Sequence, residues 1–438
     1  MALIVASARA PVAPDAAVPW QAVRDLSHSL WNVLRASVGT LVTAGEPGDL
    51  TGAVRLGLTQ TAVQGAAALH LVCSGQLSHA ELRAESWEAL RSENARFARE
   101  VARVYQPGDL IVISGLELIL LPGILRAALP QARLLLLWPH AFAAAGNLQF
   151  FPWHRELLGS MLAADAVFLQ DRAAAANLEV AAGLLGATAS GGRVSLEGRT
   201  VRLASLEGLG EPGIDTVLAQ SVRVQADARQ LRQRLGVPVV LSADQLDYPA
   251  GLIERLQAFE TFLRTRTRGH GRVTLVSVAA PVYERLGAYQ RLAREVDRWV
   301  GRLNGRYAQG TWVPVQYLRR PLSCYDVAVL YAAADVLLAT PLCEGPHAPA
   351  DEWGRLRPQA PLVLSHAASP DGHPRALRVN PYDAQDVAEA LGRALRQGGS
   401  CSGQLRGCAA AGRTGGLTAL LRAEQAIAAR SGAPVSGI

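Results

Sequence analysis

Residues 239–264 read VVLSADQLDYPAGLIERLQAFETFLR. Val239–Ser242 is a short apolar run with the pattern of a strand, and Gly251–Arg264 has the pattern of a helix. The turn between them, Asp244–Gly251, carries two carboxylates, Pro249 and a closing glycine. A continuous apolar strand followed at once by a helix belongs to a parallel sheet covered on both faces.

The same unit recurs in both directions. Upstream, Leu3–Ser7, Leu110–Ser114, Arg133–Trp138 and Ala166–Gln170 read as strands, and Trp87–Tyr105 and Pro152–Ala163 as helices. Downstream, Val273–Val278, Trp312–Leu318, Asp335–Thr340 and Pro361–Ser365 read as strands, and Ala288–Asn304 and Ala384–Arg396 as helices. Gly186–Gly213, rich in Gly, Ser and Thr, reads as a loose connection. A chain of 438 residues is too long for one ordinary domain. The expected fold is α/β: two Rossmann-like, doubly wound domains facing a central cleft, residues 1–225 and 226–400. A tail, 401–438, follows, with a helix over Leu417–Ala429. Ligands of such domains bind at the carboxyl ends of the strands, where the strand order reverses.

Composition excludes several classes. The net charge is +6, yet all 43 Lys and Arg residues are arginine, scattered along helices opposite Glu and Asp. A nucleic-acid partner would call for clustering, so none is expected. Cys73, Cys324, Cys343, Cys401 and Cys408 form no CxxC pair, so neither a disulfide framework nor a zinc site is expected, and a reducing cytoplasm fits. No apolar run approaches the ~20 residues of a membrane span. The opening MALIVASARAPVA lacks a basic leader region and reads as a first strand, so no membrane partner is expected either. No GxSxG, Walker loop or paired histidines at metal spacing occur.

Three stretches of the second half resemble trehalose-6-phosphate synthases, which are GT-B glycosyltransferases. Asp244–Gly251 resembles the family pattern D-R-L-D-Y-x-K-G. Residues 279–318 include Ala288-Tyr289, Gly301–Tyr307 and Trp312–Val315 of a second stretch. The third runs from Leu330 to Glu352 and resumes at Val379–Asp383. The first half is collinear: Leu3–Arg9 resembles the opening L-I-V-V-S-N-R, Trp87, Asn94, Phe97 and Ala98 resemble a W…N..FA helix, and Pro152-Trp153 resembles a P-W pair. The resemblance covers roughly residues 1–397 and implies no cofactor and no metal, with a nucleotide-diphosphate sugar as donor substrate.

The departures from that pattern lie where phosphate is gripped. A nucleotide-sugar transferase stabilises a diphosphate leaving group with cations and backbone N–H donors. The family's R and K fall at Gln245 and Ala250. Its loop D-G-M-N-L-V-A-K-E falls on Glu344–Glu352, where Pro346 and Pro349 remove two N–H donors and Asp351 replaces a lysine. Pro349 suits a first helical position, so the helix is expected to survive. By resemblance, Glu344 is a catalytic residue contacting the donor sugar, or else a helix-start charge; Gly345 and His347 lie along the donor, and Glu352 holds the ribose or is a solvated helix charge. Arg320, beside Arg319, replaces lost phosphate charge or sits in a solvated turn. On the acceptor side the family's H-D-Y-H becomes Ser114–Glu117, placing Glu117 there, and an acceptor-phosphate arginine falls at Tyr283. A glycine pair over the donor is lost near Arg24-Asp25. Arg9 and Trp87 remain as acceptor-pocket residues by resemblance, Trp87 being equally readable as core. His140, after Arg133–Trp138, is a site histidine or a surface cap, and Cys324 and Cys343 read as plain buried residues.

These features imply transfer from a nucleotide-diphosphate sugar, with GDP as first guess, to a small acceptor without phosphate. The same fold serves pseudoglycosyltransferases of aminocyclitol antibiotics. It also serves S-glycosyltransferases such as the one joining an octose to ergothioneine in lincosamide assembly. The alternative is a catalytically dead relative that binds a nucleotide or partner and regulates a true synthase. Self-association into a homo-oligomer is compatible with either reading.

Overall fold

The structure is a computed structural model that describes residues 3–7, 38–43, 53–206, 216–266, 272–368 and 375–398. Arg9, Arg24-Asp25, Cys401, Cys408 and the tail helix expected at Leu417–Ala429 lie outside the described residues. The described residues form two compact units, one within 3–206 and the other within 216–398.

The first unit begins with strands β1 (Leu3–Ser7), β2 (Val38–Thr43) and β3 (Ala53–Arg55), then helices α1 (Gln60–Cys73) and α2 (Ala84–Val104). It continues through β4 (Leu110–Ser114), α3 (Leu121–Ala128), β5 (Arg133–Trp138), α4 (Ala145–Leu148), α5 (His154–Met161), β6 (Ala166–Leu169) and α6 (Arg172–Ala182). Strands β7 (Thr188–Ser190), β8 (Arg193–Leu196) and β9 (Arg199–Ser205) complete it. Their sheet order is β3-β2-β1-β4-β5-β6-β9-β8-β7. Ladders from β3 to β6 are parallel, as the apolar runs require, and β4 is buried along its whole length.

The expected loose stretch Gly186–Gly213 is corrected here, since it contains β7, β8 and β9. Gly191-Gly192 and Glu197-Gly198 all have positive φ, giving two-residue turns of the kind that suits a hairpin's twist. Val194, Val201 and Leu203 point inward between polar neighbours. Apolar residues at alternate positions among Gly, Ser and Thr make a weak signal beside the continuous runs of the parallel strands.

The second unit runs α7 (Thr216–Gln220), α8 (Val222–Leu235), β10 (Val239–Leu246), α9 (Leu252–Arg266), β11 (Thr274–Pro281), α10 (Gly287–Tyr307) and β12 (Val315–Leu318). It ends with α11 (Cys324–Ala333), β13 (Val336–Ala339), α12 (Ala348–Leu356), β14 (Leu362–Ser365), β15 (Leu377–Val379) and α13 (Ala384–Gly398). All strands are parallel, in the order β12-β11-β10-β13-β14-β15. Each unit's first six strands therefore follow a 3-2-1-4-5-6 winding, with helices on both faces. One core face packs Val239, Leu241 and Val276 with Tyr331 and Trp353, and the other packs Val240, Leu275 and Leu338 with Phe259 and Phe262.

Candidate functional site

In the second unit the winding reverses between β10 and β13, so the segments leaving those strands border the ligand-binding crevice of this fold. They are in direct contact. Leu342 N donates to the Pro249 carbonyl at 2.8 Å. Gly251 has φ +68, and a Cβ there would lie 2.4 Å from the Thr340 carbonyl oxygen, so only glycine fits where the helix after β10 meets the segment after β13.

Asp244, Arg255 and His347 form a buried cluster at this junction. The Asp244 carboxylate, at the end of β10, pairs with Arg255 of α9 at 2.7 Å and with His347 Nε2 at 2.9 Å. Arg255 also donates to Thr340 Oγ1 at 2.9 Å, Ser242 Oγ at 3.0 Å and the Ala250 carbonyl at 2.8 Å. Burial alone would raise the pKa of Asp244, but Arg255 and then His347 outweigh it and hold the carboxyl below its ordinary value. His347 is the N-cap of α12, and its Nδ1 accepts from Ala350 N at 3.3 Å. That bond assigns the tautomer: Nδ1 accepts, so the proton sits on Nε2 and is donated to Asp244.

Glu352 lies one turn into α12 and is 7% exposed. The hydroxyl of Tyr331, from α11, meets its Oε2 at 3.0 Å and the Pro349 carbonyl at 3.2 Å. Glu344 is exposed, and Gly345 N donates to the Ala367 carbonyl at 3.3 Å, tying the loop to the segment after β14. Gln245 and Ala250 are buried, at 7% and 6% exposure. Beyond the end of β12, Arg319 pairs with Asp297 at 2.9 Å, whereas Arg320 is exposed and donates to the Pro321 carbonyl at 3.4 Å.

Tyr283 follows β11 with φ +48, a strained backbone for a residue with a Cβ. Its ring packs 5.1 Å from that of Tyr289, which is 2% exposed and donates to Asp247 Oδ1 at 3.1 Å. Tyr248 adds a third ring, 5.9 Å from Tyr289.

In the first unit, Trp87 is 1% exposed and its indole N–H donates to Glu156 Oε2 at 2.7 Å. The ring stacks on half-buried Trp153 at 5.3 Å and meets Phe151 edge-on at 5.1 Å. Of the two readings left open for Trp87, this geometry is that of core, with Trp153 the more exposed indole of the pair. Glu156 is also gripped by Arg91 Nε at 2.8 Å and Nη2 at 2.9 Å. Arg91, offset by burial but reinforced by Trp87, lowers the Glu156 pKa. Glu117 is buried in a short turn after β4, and Asn94 Nδ2 donates to its carbonyl at 2.7 Å. His140 follows β5, half-buried, with its ring 6.0 Å from that of buried His70 and 5.7 Å from that of Trp138.

Of the residues the sequence assigned to the donor, Gln245, Gly345, His347, Glu352 and Arg320, the structure sets His347 on Asp244 at the junction of the segments after β10 and β13, and the Arg255 that completes the cluster was not singled out from sequence. Burial pushes the Cys73 thiol, one helical turn from His70, up to about 12. Cys73 is buried, whereas Cys324 and Cys343 are half-buried rather than the plain buried residues expected from sequence, because one opens α11 and the other stands in the loop after β13. Among the described residues none forms a disulfide, and no group of three His, Cys, Asp or Glu is placed to hold a metal. No described helix is long and apolar enough to cross a membrane.

A model of glycosyltransferase family 20 matches residues 67–401. A bifunctional trehalose-6-phosphate synthase/phosphatase of Thermoproteus tenax is 34% identical over 332 residues, covering 73% of this chain and 45% of that protein. A trehalose-6-phosphate synthase of Mycobacterium avium is 32% identical over 334 residues, covering 72% of this chain and 67% of that protein. The match thus spans under half of the first relative and about two thirds of the second. The crystal structure of an alpha,alpha-trehalose-phosphate synthase (UDP-forming) from Burkholderia vietnamiensis is similar with TM-score 0.82 and 26% identity, covering 99% of this chain and 98% of that one. Family match, parallel double winding and the Asp244–Gly251 and Glu344–Glu352 segments converge: the chain belongs to glycosyltransferase family 20, with a GT-B fold.

Proposed function

We propose that this chain is a metal-independent, retaining glycosyltransferase that takes its sugar from a nucleotide-diphosphate donor and gives it to an acceptor without phosphate. The observation that carries the donor side is Glu352, buried beside the reversal of strand order and steadied by Tyr331. A carboxylate so placed suits the paired hydroxyls of a ribose. Glu344, exposed on the same loop, is assigned to the donor sugar. UDP takes precedence over the GDP guessed from sequence, because relatives include a UDP-forming synthase and one bound with UDP-2-fluoro glucose.

A relative from Burkholderia xenovorans is described in complex with glucose-6-phosphate. For this chain we assign a neutral or zwitterionic acceptor instead, a thiol, amine or betaine-like group, because tyrosine stands at 283 where the family pattern has a phosphate-gripping arginine. His140, Glu117 and Arg9 are assigned to the first unit's share of the chemistry. The leaving phosphate takes the acceptor proton, and the protein stabilises charge rather than supplying a nucleophile. Titration of UDP, GDP and ADP by melting temperature, followed by turnover with the sugar of whichever base binds, tests the assignment. A second reading, a binding or regulatory relative without turnover, is favoured by one observation: neutral, buried Ala250 stands where the family pattern has a cation. Nucleotide binding without transfer to any thiol, amine or sugar acceptor would select it.

A further inference from the structure

His140 stands on a loop that is tied down at nearly every residue. The loop, residues 139–144, leaves the carboxyl end of β5, one strand from the reversal between β1 and β4, on the edge of the sheet where ligands of this fold bind. Pro139 fixes its own φ and keeps Trp138 extended. The His140 ring meets the Trp138 ring edge-on at 5.7 Å and the His70 ring, from α1, at 6.0 Å and 70°. The Trp138 indole N–H donates to the Ala141 carbonyl at 3.2 Å, and Asn177 Nδ2, from α6, donates to the Phe142 carbonyl at 2.9 Å. Cys73, one helical turn beyond His70 on the same face of α1, takes a backbone hydrogen bond from Ala143. Ala144 then caps α4, its carbonyl accepting from Asn147 N at 2.9 Å. His70, Cys73, Phe142 and Ala143 are at most 5% exposed, so water does not compete for the α1 contacts. A histidine that merely capped a surface loop would need no such holding. A group that acts on a substrate does, since a misplacement of ~1 Å can cost on the order of 100-fold in rate.

We propose that His70 and Asn177 are positioning residues for sugar transfer: through the clamped loop they hold the His140 imidazole in one pose beside the first unit's strand reversal. The inference rests on the assignment of His140 to the chemistry above and deepens it. Neither residue is called on to touch substrate. His70 acts by packing its ring against that of His140, and Asn177 acts by fixing the Phe142 carbonyl.

The test uses the full chain and its variants His70→Ala and Asn177→Ala. Proton NMR should show nuclear Overhauser contacts from the His140 imidazole to the Trp138 indole in the wild type, and both variants should weaken them. Unchanged contacts in both variants overturn the inference. Release of UDP from UDP-glucose, with water as acceptor, supplies the kinetic readout. Each variant should lower kcat about tenfold while the donor KM stays within about twofold, since only the pose of His140 is lost. A wild-type kcat in both variants, or a rise in KM alone, overturns it. His70→Phe restores an edge-on ring and should recover most of what His70→Ala loses; no recovery overturns the packing role of His70. If His70→Ala does not fold, Asn177→Ala, at a half-buried position, carries the same two measurements. A His140→Ala variant as active as the wild type defeats the assignment of His140, and a chain that releases no UDP defeats the donor reading. The imidazole–indole contacts decide the clamp in either case.

Discussion

Tyr331 Oη lies 3.0 Å from Glu352 Oε2, joining α11 to α12 in the interior of the second unit. Both residues are buried, so the hydroxyl fixes the carboxylate before any ligand arrives. Glu352→Ala should weaken nucleoside binding by about 1.5–3 kcal/mol, the worth of a hydrogen bond to a charged group. Tyr331→Phe keeps the carboxylate but frees its rotation and should cost about 1 kcal/mol. Calorimetry measures both, and an unchanged dissociation constant for Glu352→Ala removes Glu352 from the donor site.

The Asp244–Arg255 pair predicts a large stability effect. Arg255→Ala leaves a buried carboxylate without its closest cation and should destabilise the second unit by about 3–5 kcal/mol in urea unfolding. Asp244→Asn should be strongly destabilising for the mirror reason. A loss below about 1 kcal/mol for Arg255→Ala would show that the cluster is solvated rather than buried.

Acid should loosen both units. The folded-state pKa values of Asp244 and Glu156 are depressed, so their contributions are present above the ordinary carboxylate pKa and are lost as pH falls through the folded values. Glu156→Gln should flatten the acid limb of the first unit's melting curve and Asp244→Asn that of the second. Identical acid limbs in wild type and both variants would contradict the linkage.

The parallel strands were legible because each is a continuous apolar run, Arg133–Trp138 most plainly. Strands β7–β9 were not, since only alternate residues are apolar there. Glu352 was legible through its spacing from Gly345. Its partner Tyr331 was not, because residues 21 apart in the chain meet only through the packing of α11 on α12. Arg255 was hidden for a different reason: an arginine in a helical pattern reads as a solvated charge, and nothing local marks it as 1% exposed. Trp87 could be read as pocket wall or core, and the distant carboxylate of Glu156 supplies the polar partner that lets an indole be buried.

The acceptor prediction turns on Tyr283. A sugar phosphate brings about two negative charges, which need a cation or several N–H donors in a partly desolvated site. At this position the chain instead holds a phenol on a backbone of φ +48, packed on Tyr289, whose hydroxyl is committed to Asp247. On the acceptor reading proposed above, the half-buried rings of Tyr248 and Tyr283 would take a quaternary ammonium rather than a phosphate, at about 0.5–2 kcal/mol for each favourable face. Glucose 6-phosphate should therefore be a poor acceptor whichever nucleotide-glucose is supplied, and a betaine or thiol should compete better. Tyr283→Arg should restore glucose 6-phosphate binding, and Tyr283→Gly should relieve the backbone without restoring it. Robust trehalose 6-phosphate formation by the wild-type chain would reverse the assignment and make it an ordinary synthase with its phosphate grip built from other arginines.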